Sequence, residues 1–162
     1  GRVGSEMCIR DSIGLIGQYA HGNEPSHHIV HLYNYVNQSW KTQQLIDTIL
    51  HTQYFNNPNG LSGNEDCGQM SAWYVLNAMG FYQVCPGSPI YSVGRPIFDK
   101  VTINLPNGKV FEIIANNNSR TNKYIQSIRL DNILLESPFF MHSDIMKGGK
   151  IVMEMGNTPV KQ

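Results

Sequence analysis

The apolar residues of this chain change their spacing near residue 88, and this change constrains the fold more than any other feature. From residue 13 to about residue 79 they recur with the period of a helix, and from about residue 90 they alternate as in strands. No long linker separates the two parts. The pattern predicts an α+β chain in which residues 13–87 form helices and residues 88–162 form an antiparallel β segment.

Three helices are predicted in the first part. The first begins at the turn 23–25, where Asn is a favoured cap and Pro suits the first helical position. Ser39 is predicted to cap the second, and the run 56–60, rich in Asn, Pro and Gly, ends it. The third spans residues 66–79. The residues that repeat at helical spacing are Ile29, Leu32, Tyr33 and Val36 in the first helix and Leu45, Ile46, Ile49 and Leu50 in the second.

The third helix is apolar on more than one face, which predicts burial on several sides, and Gly80 follows it as a C-terminal glycine. Asp66 followed three residues later by Gln69 has the form of a capping box. A carboxylate held at the positive end of the helix dipole is expected to stay ionised at neutral pH and can act as a base. The alternative is that Asp66 only caps the helix.

Strands are predicted wherever alternation is bounded by turn residues. Residues 101–105 and 110–115 flank the turn 106–108 and read as a hairpin. Residues 124–130 and 133–135 form a second pair, and residues 150–155 form a last strand.

Composition narrows the functional classes. Twelve basic and twelve acidic residues, with a pI near 7.2, give no electrostatic case for binding nucleic acid or an anionic membrane. No apolar run approaches the roughly 20 residues of a membrane span. The polar residues are rich in Asn, Gln, Ser and His, which suit hydrogen bonding to neutral ligands such as sugars. Three cysteines match no metal-binding spacing, and Cys67 is predicted to be a small buried thiol.

The first residues differ in character from the rest. They lack an initiator Met and the order of charge, apolar run and cleavage site that marks a signal peptide, and they resemble translated sequencing-adapter read-through. We predict that residues 1–12 are a non-native leader, that native sequence begins near Ile13, and that an upstream portion is missing.

A dense polar cluster spans residues 21–28, with three histidines, a carboxylate and an amide at a predicted helix entrance. Each residue alone could be a cap or polar surface. A zinc site would use His27 and His31 at helical spacing, with Glu24 or His142. A calcium site would instead use oxygen ligands from Asn23, Glu24 and residues 64–66.

Several long motifs are distinctive: GQYAHGNEPSHH at 17–28, LYNY at 32–35, WKTQ at 40–43 and GNEDCGQMSAWYV at 63–75. Shorter ones follow at 80–82, 84–88, 98–100 and 144–146. Together they resemble glycoside hydrolase family 92, the calcium-dependent exo-acting α-mannosidases. This resemblance implies an N-terminal β-sandwich followed by an (α/α)6 toroid, with the three helices here as the last toroid helices and the strands as a terminal β segment that packs back on the assembly.

The resemblance also implies a reaction: inverting hydrolysis of terminal α-mannosidic bonds in mannose-containing glycans such as N-glycans. Asp66 matches the general base, with Asn64 and Glu65 helping to hold the water. Some relatives carry Asp where this chain has Asn64. Asn23 and Glu24 match part of the calcium site, and His21 and His27 are expected sugar contacts.

The family's general acid lies upstream of this chain, so the chain alone is expected to be inactive, to fold with poor cooperativity and to need the N-terminal part of the same protein. Family members are usually exported to the bacterial periplasm or beyond. Two alternatives remain: a carbohydrate-binding module that uses Tyr91, Tyr124 or Phe139, and a relative that cleaves mannosyl phosphodiesters.

Overall fold

The structure is a computed structural model that describes residues 14–161. The predicted leader, residues 1–12, lies outside the described residues. The chain is α+β, as predicted: helical elements fill the first part and two β-sheets fill the second. A two-stranded ribbon, β1 (Leu15–Ile16) with β2 (Tyr19–Ala20), precedes the helices.

The first predicted helix forms as two 3₁₀ helices, Glu24–Ser26 and Ile29–Val36, and not as an α-helix. Over eight residues a period of three and a period of 3.6 place nearly the same residues on one face, so spacing alone did not separate them. The second prediction is confirmed by α1 (Ser39–Thr52), although Gln38 occupies the cap position in place of Ser39.

The third helix, α2 (Gln69–Met79), begins three residues later than predicted. Asp66 and Cys67 have φ of 46° and 56°, and Gly68 has φ of 96°. Three successive left-handed residues cannot belong to an α-helix, and such φ values are uncommon for residues other than glycine. The capping box predicted between Asp66 and Gln69 is therefore wrong. Gly80, with φ of 104°, closes the helix as predicted.

The main sheet has five strands in the order β5-β6-β10-β7-β8. They are β5 (Lys100–Asn104), β6 (Val110–Asn116), β7 (Tyr124–Leu130), β8 (Ile133–Leu134) and β10 (Gly149–Gly156). Both predicted hairpins and the last strand are confirmed. The last strand lies centrally, antiparallel to β7 but parallel to β6, so the sheet is antiparallel at every pairing except one.

A smaller antiparallel sheet joins the two parts of the chain. Its strands are β3 (Phe81–Tyr82), which follows α2 directly, β4 (Ile90–Val93) and β9 (Phe139–Met141), in the order β3-β4-β9. A short helix, α3 (His142–Lys147), follows β9 and leads to β10. Sequence reasoning did not predict β9 or α3.

Two hydrophobic cores result. One lies on the main sheet and includes Phe111, Ile113, Ile151 and Met153. The other joins α1 and α2 around Trp73, which is fully buried. Val75, on the opposite face of α2, is 52% exposed, so α2 is not covered on all sides by the described residues.

A buried carboxylate links α1 to the second part of the chain. Asp47 lies 3.2 Å from Arg95 Nε and 3.4 Å from Lys123 Nζ. Arg95 is buried, and its other nitrogens donate hydrogen bonds to the carbonyls of Pro96 and Ser119. Asp47 therefore joins the helix to the loops after β4 and β6.

Cys67 was predicted to be buried but is exposed, because the left-handed turn at 66–68 turns it away from the helix packing. Within residues 14–161, no helix combines the length and apolar character that crossing a bilayer requires.

Candidate active site

A cleft of about 540 Å³ opens where the first 3₁₀ helix, the turn before α2 and the end of β3 meet. Its walls carry two carboxyl groups, two histidines, two amides and a phenol. These are Glu24, Asp66, His27, His28, Gln69, Gln83 and Tyr82. The structure thus brings together polar side chains from residues 24–28 and 66–69, which are about forty positions apart in the sequence.

Glu24 and Asp66 form a carboxyl pair at this cleft. A hydrogen bond to Glu24 raises the pKa of Asp66 above its ordinary value, and the charge of Glu24 acts in the same direction. Asp66 is exposed, whereas Glu24 is half-buried and its Oε1 is buried without a hydrogen-bond partner among the described residues. Asp66 lies before the helix and beside another carboxyl, so the neighbouring carboxyl, and not the helix dipole, sets the direction in which its pKa moves; its ionised state at neutral pH stays a prediction.

Glu65 takes the capping role that was predicted for Asp66. Its carboxylate accepts hydrogen bonds from the backbone N–H and the hydroxyl of Ser71, both at 3.0 Å. Ser71 is the third residue of α2, so this carboxylate satisfies an otherwise unpaired N–H of the first turn. Asn64 and Asn23 are exposed and do not line the cleft.

His27 lies at the back of the cleft and is almost fully buried. Its Nε2 is 2.9 Å from the carbonyl oxygen of His21, and its Nδ1 is 3.1 Å from Gln69 Nε2. The indole of Trp73 donates a hydrogen bond to the His27 carbonyl, which ties the residue to α2. Burial lowers the pKa of His27, so the ring is neutral at pH 7.

His21 lies behind His27, with the two rings stacked at 4.9 Å. It is fully buried, and its nitrogens contact the hydroxyls of Tyr19 at 2.9 Å and Tyr54 at 2.6 Å. Burial lowers its pKa to about 3, and the neighbouring His27 adds to this shift. Within this chain His21 therefore supports His27 and does not reach the cleft, although it was predicted to contact sugar.

The zinc arrangement that uses His27 with His31 does not form. His31 is fully buried, and its nitrogens lie 3.1 Å from the Ser92 hydroxyl and 2.9 Å from the Asn77 carbonyl oxygen. Residues 14–161 contain no group of three or more His, Cys, Asp or Glu side chains placed to hold a metal ion.

The aromatic residues suggested for a binding module are mostly part of the packing. Tyr124 is buried in the core. The ring of Tyr91 packs against Phe81 and Phe140, and that of Phe139 packs against Tyr35. These contacts favour a structural role for all three.

Sequence reasoning missed three polar residues of the cleft. Gln69 was considered only as a capping partner, and Tyr82 and Gln83 were not singled out. Gln69 is the first residue of α2, and Tyr82 ends β3, so each stands at the end of an element and faces the cleft. A polar residue at the end of an otherwise apolar element was the available signal for both.

Comparison with known proteins agrees with the motifs. A sequence model described as the glycosyl hydrolase family 92 catalytic domain matches residues 4–157. A family GH92 α-mannosidase from Bacteroides thetaiotaomicron, solved in complex with mannoimidazole, is 43% identical with a TM-score of 0.89. The match covers 94% of this chain and 20% of that chain.

Two further relatives are also described as glycosidases. A family GH92 inverting mannosidase from Bacteroides thetaiotaomicron VPI-5482 is 43% identical, with a TM-score of 0.82 over 88% of this chain and 19% of its own. An uncharacterized secreted glycosidase from Arthroderma benhamiae is 27% identical over 138 residues, which are 83% of this chain and 18% of that protein. The chain spans about a fifth of the length of these relatives. The chain belongs to glycosyl hydrolase family 92.

Proposed function

We propose that the protein containing this chain hydrolyses terminal α-mannosidic bonds in mannose-containing glycans, with inversion and with calcium. The observation that carries the proposal is the Glu24–Asp66 carboxyl pair in the cleft of a family 92 chain. Two relatives with 43% identity are described as an α-mannosidase and an inverting mannosidase, which supports the substrate and the stereochemistry.

Asp66 is the proposed general base. In an inverting glycosidase a carboxylate takes a proton from water, and the water oxygen attacks the anomeric carbon from the face opposite the leaving group. Asp66 is exposed at the cleft, so water can reach it. The neighbouring Glu24 raises the pKa of Asp66, and a base is most effective when its pKa approaches the working pH. Asn64 and Glu65 are proposed to help hold the water. Glu65 would do so indirectly, because its hydrogen bonds to Ser71 fix the turn before α2.

The donor chemistry at Glu24 fits part of a calcium site. Glu24 Oε1 is buried and lacks a hydrogen-bond partner among residues 14–161, and the Asp66 carboxyl lies beside it. Asn23 precedes Glu24 and adds a side-chain amide oxygen, since its backbone carbonyl already accepts hydrogen bonds from Ser26. Calcium takes six to eight oxygen ligands, so this chain would supply only some of them. When bound, the ion would offset the repulsion between the two carboxyls and polarise sugar hydroxyls.

The general acid is proposed to come from outside this chain. In inverting enzymes the acid and the base stand about 6.5–9.5 Å apart, so that water fits between base and sugar. Glu24 is the immediate neighbour of Asp66 and is therefore too close, and the carboxylate of Glu65 accepts hydrogen bonds from Ser71. We therefore expect that the chain alone does not turn over substrate and needs the N-terminal part of its own protein.

The proposal also includes the architecture of the full-length protein and its location in the cell. We infer that α1 and α2 are among the last helices of an (α/α)6 toroid and that the sheets form its terminal β segment. We also infer export to the periplasm or beyond, which the similarity to a secreted glycosidase supports.

The test measures mannose release from α-linked mannobioses by the full-length protein, after treatment with a chelator and again after calcium is restored. Release that depends on calcium, gives the inverted anomer by NMR and is abolished in Asp66→Ala is the expected result. Glu136→Ala is the control, because Glu136 is an exposed carboxylate that lines a different cavity. Release that persists in Asp66→Ala would contradict the assignment of the base, and no release by the folded protein would favour a binding module or a mannosyl phosphodiesterase.

A further inference from the structure

We propose that the side-chain carbonyl of Gln69 binds a hydroxyl group of the substrate, and that His27 and Tyr82 fix its orientation. This inference rests on the proposed function and adds a specificity residue to it. Gln69 lines the same cleft as Glu24 and Asp66 and is the first residue of α2.

The argument starts at the carbonyl oxygen of His21, which lies 2.9 Å from His27 Nε2. A carbonyl oxygen only accepts hydrogen bonds, so Nε2 of His27 carries the proton. Because the ring is almost fully buried, stacks on a second imidazole and forms no ion pair among residues 14–161, it is neutral, so the other nitrogen, Nδ1, has a lone pair and can only accept. The backbone thus selects one tautomer of His27.

That tautomer decides which way the Gln69 amide points. Gln69 Nε2 is 3.1 Å from His27 Nδ1, and only the NH₂ group can donate a hydrogen bond to it. The same nitrogen lies 3.2 Å from the hydroxyl of Tyr82 and donates its second hydrogen there. Both amide hydrogens are used by the protein.

Both acceptors are held in place by their surroundings. The His27 ring stacks on His21, and the Tyr82 ring stacks on His31 at 5.3 Å. Gln69 Oε1 has no hydrogen-bond partner among residues 14–161 and belongs to a side chain that lines the cleft. A pre-oriented acceptor recognises an O–H donor at little entropic cost, and the hydroxyls of a neutral sugar supply such donors.

The experiment compares kcat/KM of the full-length protein for an α-mannoside and its 2-, 3-, 4- and 6-deoxy analogues, in the wild type and in Gln69→Ala. For the wild type we expect kcat/KM of one deoxy analogue to be about 10-fold lower than that of the parent mannoside, which is the usual effect of losing one hydrogen bond in a desolvated site. In Gln69→Ala the loss for that analogue should shrink to less than about 2-fold, since the partner is already absent. An unchanged loss for every analogue in Gln69→Ala would overturn the inference.

Three further variants separate binding from structure. Gln69→Met keeps the length of the side chain without its polar atoms and serves if Gln69→Ala does not fold. Tyr82→Phe frees one amide hydrogen and should reduce the deoxy penalty only in part. Gln83→Ala is the matched control: Gln83 also lines the cleft, but its amide donates to the Ser88 carbonyl, so the full penalty should remain. Absence of mannose release by the wild type would overturn the proposed function and this inference together, whereas release with an unchanged penalty would overturn this inference alone.

Discussion

The core of the five-stranded sheet consists of apolar side chains, whereas the buried interior of the helical part contains three histidines and two asparagines. Phe111 and Ile151 are typical of the sheet core. His21, His31 and Asn77 are typical of the helical interior. An apolar core tolerates substitutions of similar volume, but a buried polar network requires each donor to meet its acceptor. The comparison indicates that the sheet supports the fold while the helical part holds the site in one arrangement.

The largest expected effect is on activity at the cleft. Asp66→Asn should lower kcat about 10²–10⁴-fold, because an amide cannot accept a proton from water. The melting temperature should stay unchanged, since Asp66 is exposed. Steady-state kinetics and calorimetry on the full-length protein measure the two quantities.

The stability of Asp66→Asn is compared with that of Glu65→Gln. Glu65→Gln weakens the two hydrogen bonds to Ser71 and should cost about 1 kcal/mol of stability, the usual value of a helix cap. A lower melting temperature for Asp66→Asn than for Glu65→Gln would reverse the roles assigned to the two carboxylates.

In the apolar core of the sheet, the free energy of unfolding should depend on the volume of a buried side chain and not on a specific hydrogen-bond partner. Phe111→Ala should destabilise the protein by about 3–5 kcal/mol, because Phe111 is fully buried. Val110 directly precedes Phe111 in β6 and is 41% exposed on the other face, so Val110→Ala should cost far less stability. Urea unfolding measures both, and equal losses would contradict the assigned faces of the strand.

The link between the two parts is a charged contact. Asp47→Asn should destabilise by about 3 kcal/mol, because it leaves the buried Arg95 guanidinium without its carboxylate. Lys100 and Glu112 form an exposed ion pair, so Glu112→Gln should change stability by less than about 1 kcal/mol. Unfolding curves for the two variants distinguish a buried link from a surface pair, and similar losses would show that Asp47 does not join the two parts.

The sheet was more predictable than the site for physical reasons. The hairpin of β5 and β6 follows from local alternation and from the turn Pro106–Gly108, which sequence displays directly. The parallel pairing of β10 with β6 depends on contacts between distant segments, which alternation does not encode.

At the cleft, the candidate calcium site placed Glu24 and Asp66 near each other, but the direct pairing of their carboxyl groups was not predicted. The left-handed turn at Asp66 and Cys67 gave no signal, because neither residue marks positive φ as glycine does. The template of a capping box fitted Asp66 with Gln69, yet Glu65 performs the capping. The neutral state of His21 depends on its burial and on the neighbouring His27, and only the fold produces both.

The last expected effect concerns pH and the buried histidine His31. Burial lowers its pKa from 6.5 to about 4, so the folded state holds the ring neutral while the unfolded chain takes up a proton below about pH 6.5. The stabilisation that comes from keeping His31 neutral is therefore fully present above pH 6.5 and is lost as the pH falls towards 4. Between pH 7 and pH 5 the free energy of unfolding should fall by about 2 kcal/mol because of His31.

The matched variant is His31→Gln, which keeps a donor and an acceptor near Ser92 and Asn77 but cannot titrate. His21 and His27 have lowered pKa values as well, so the wild type should lose more stability than His31 alone accounts for. The difference between wild type and variant isolates His31, and the imidazole NMR signal gives its pKa directly. Equal loss of unfolding free energy between pH 7 and pH 5 in both proteins would show that His31 does not contribute, and the pH sensitivity of the helical part would then rest on the histidines behind the cleft.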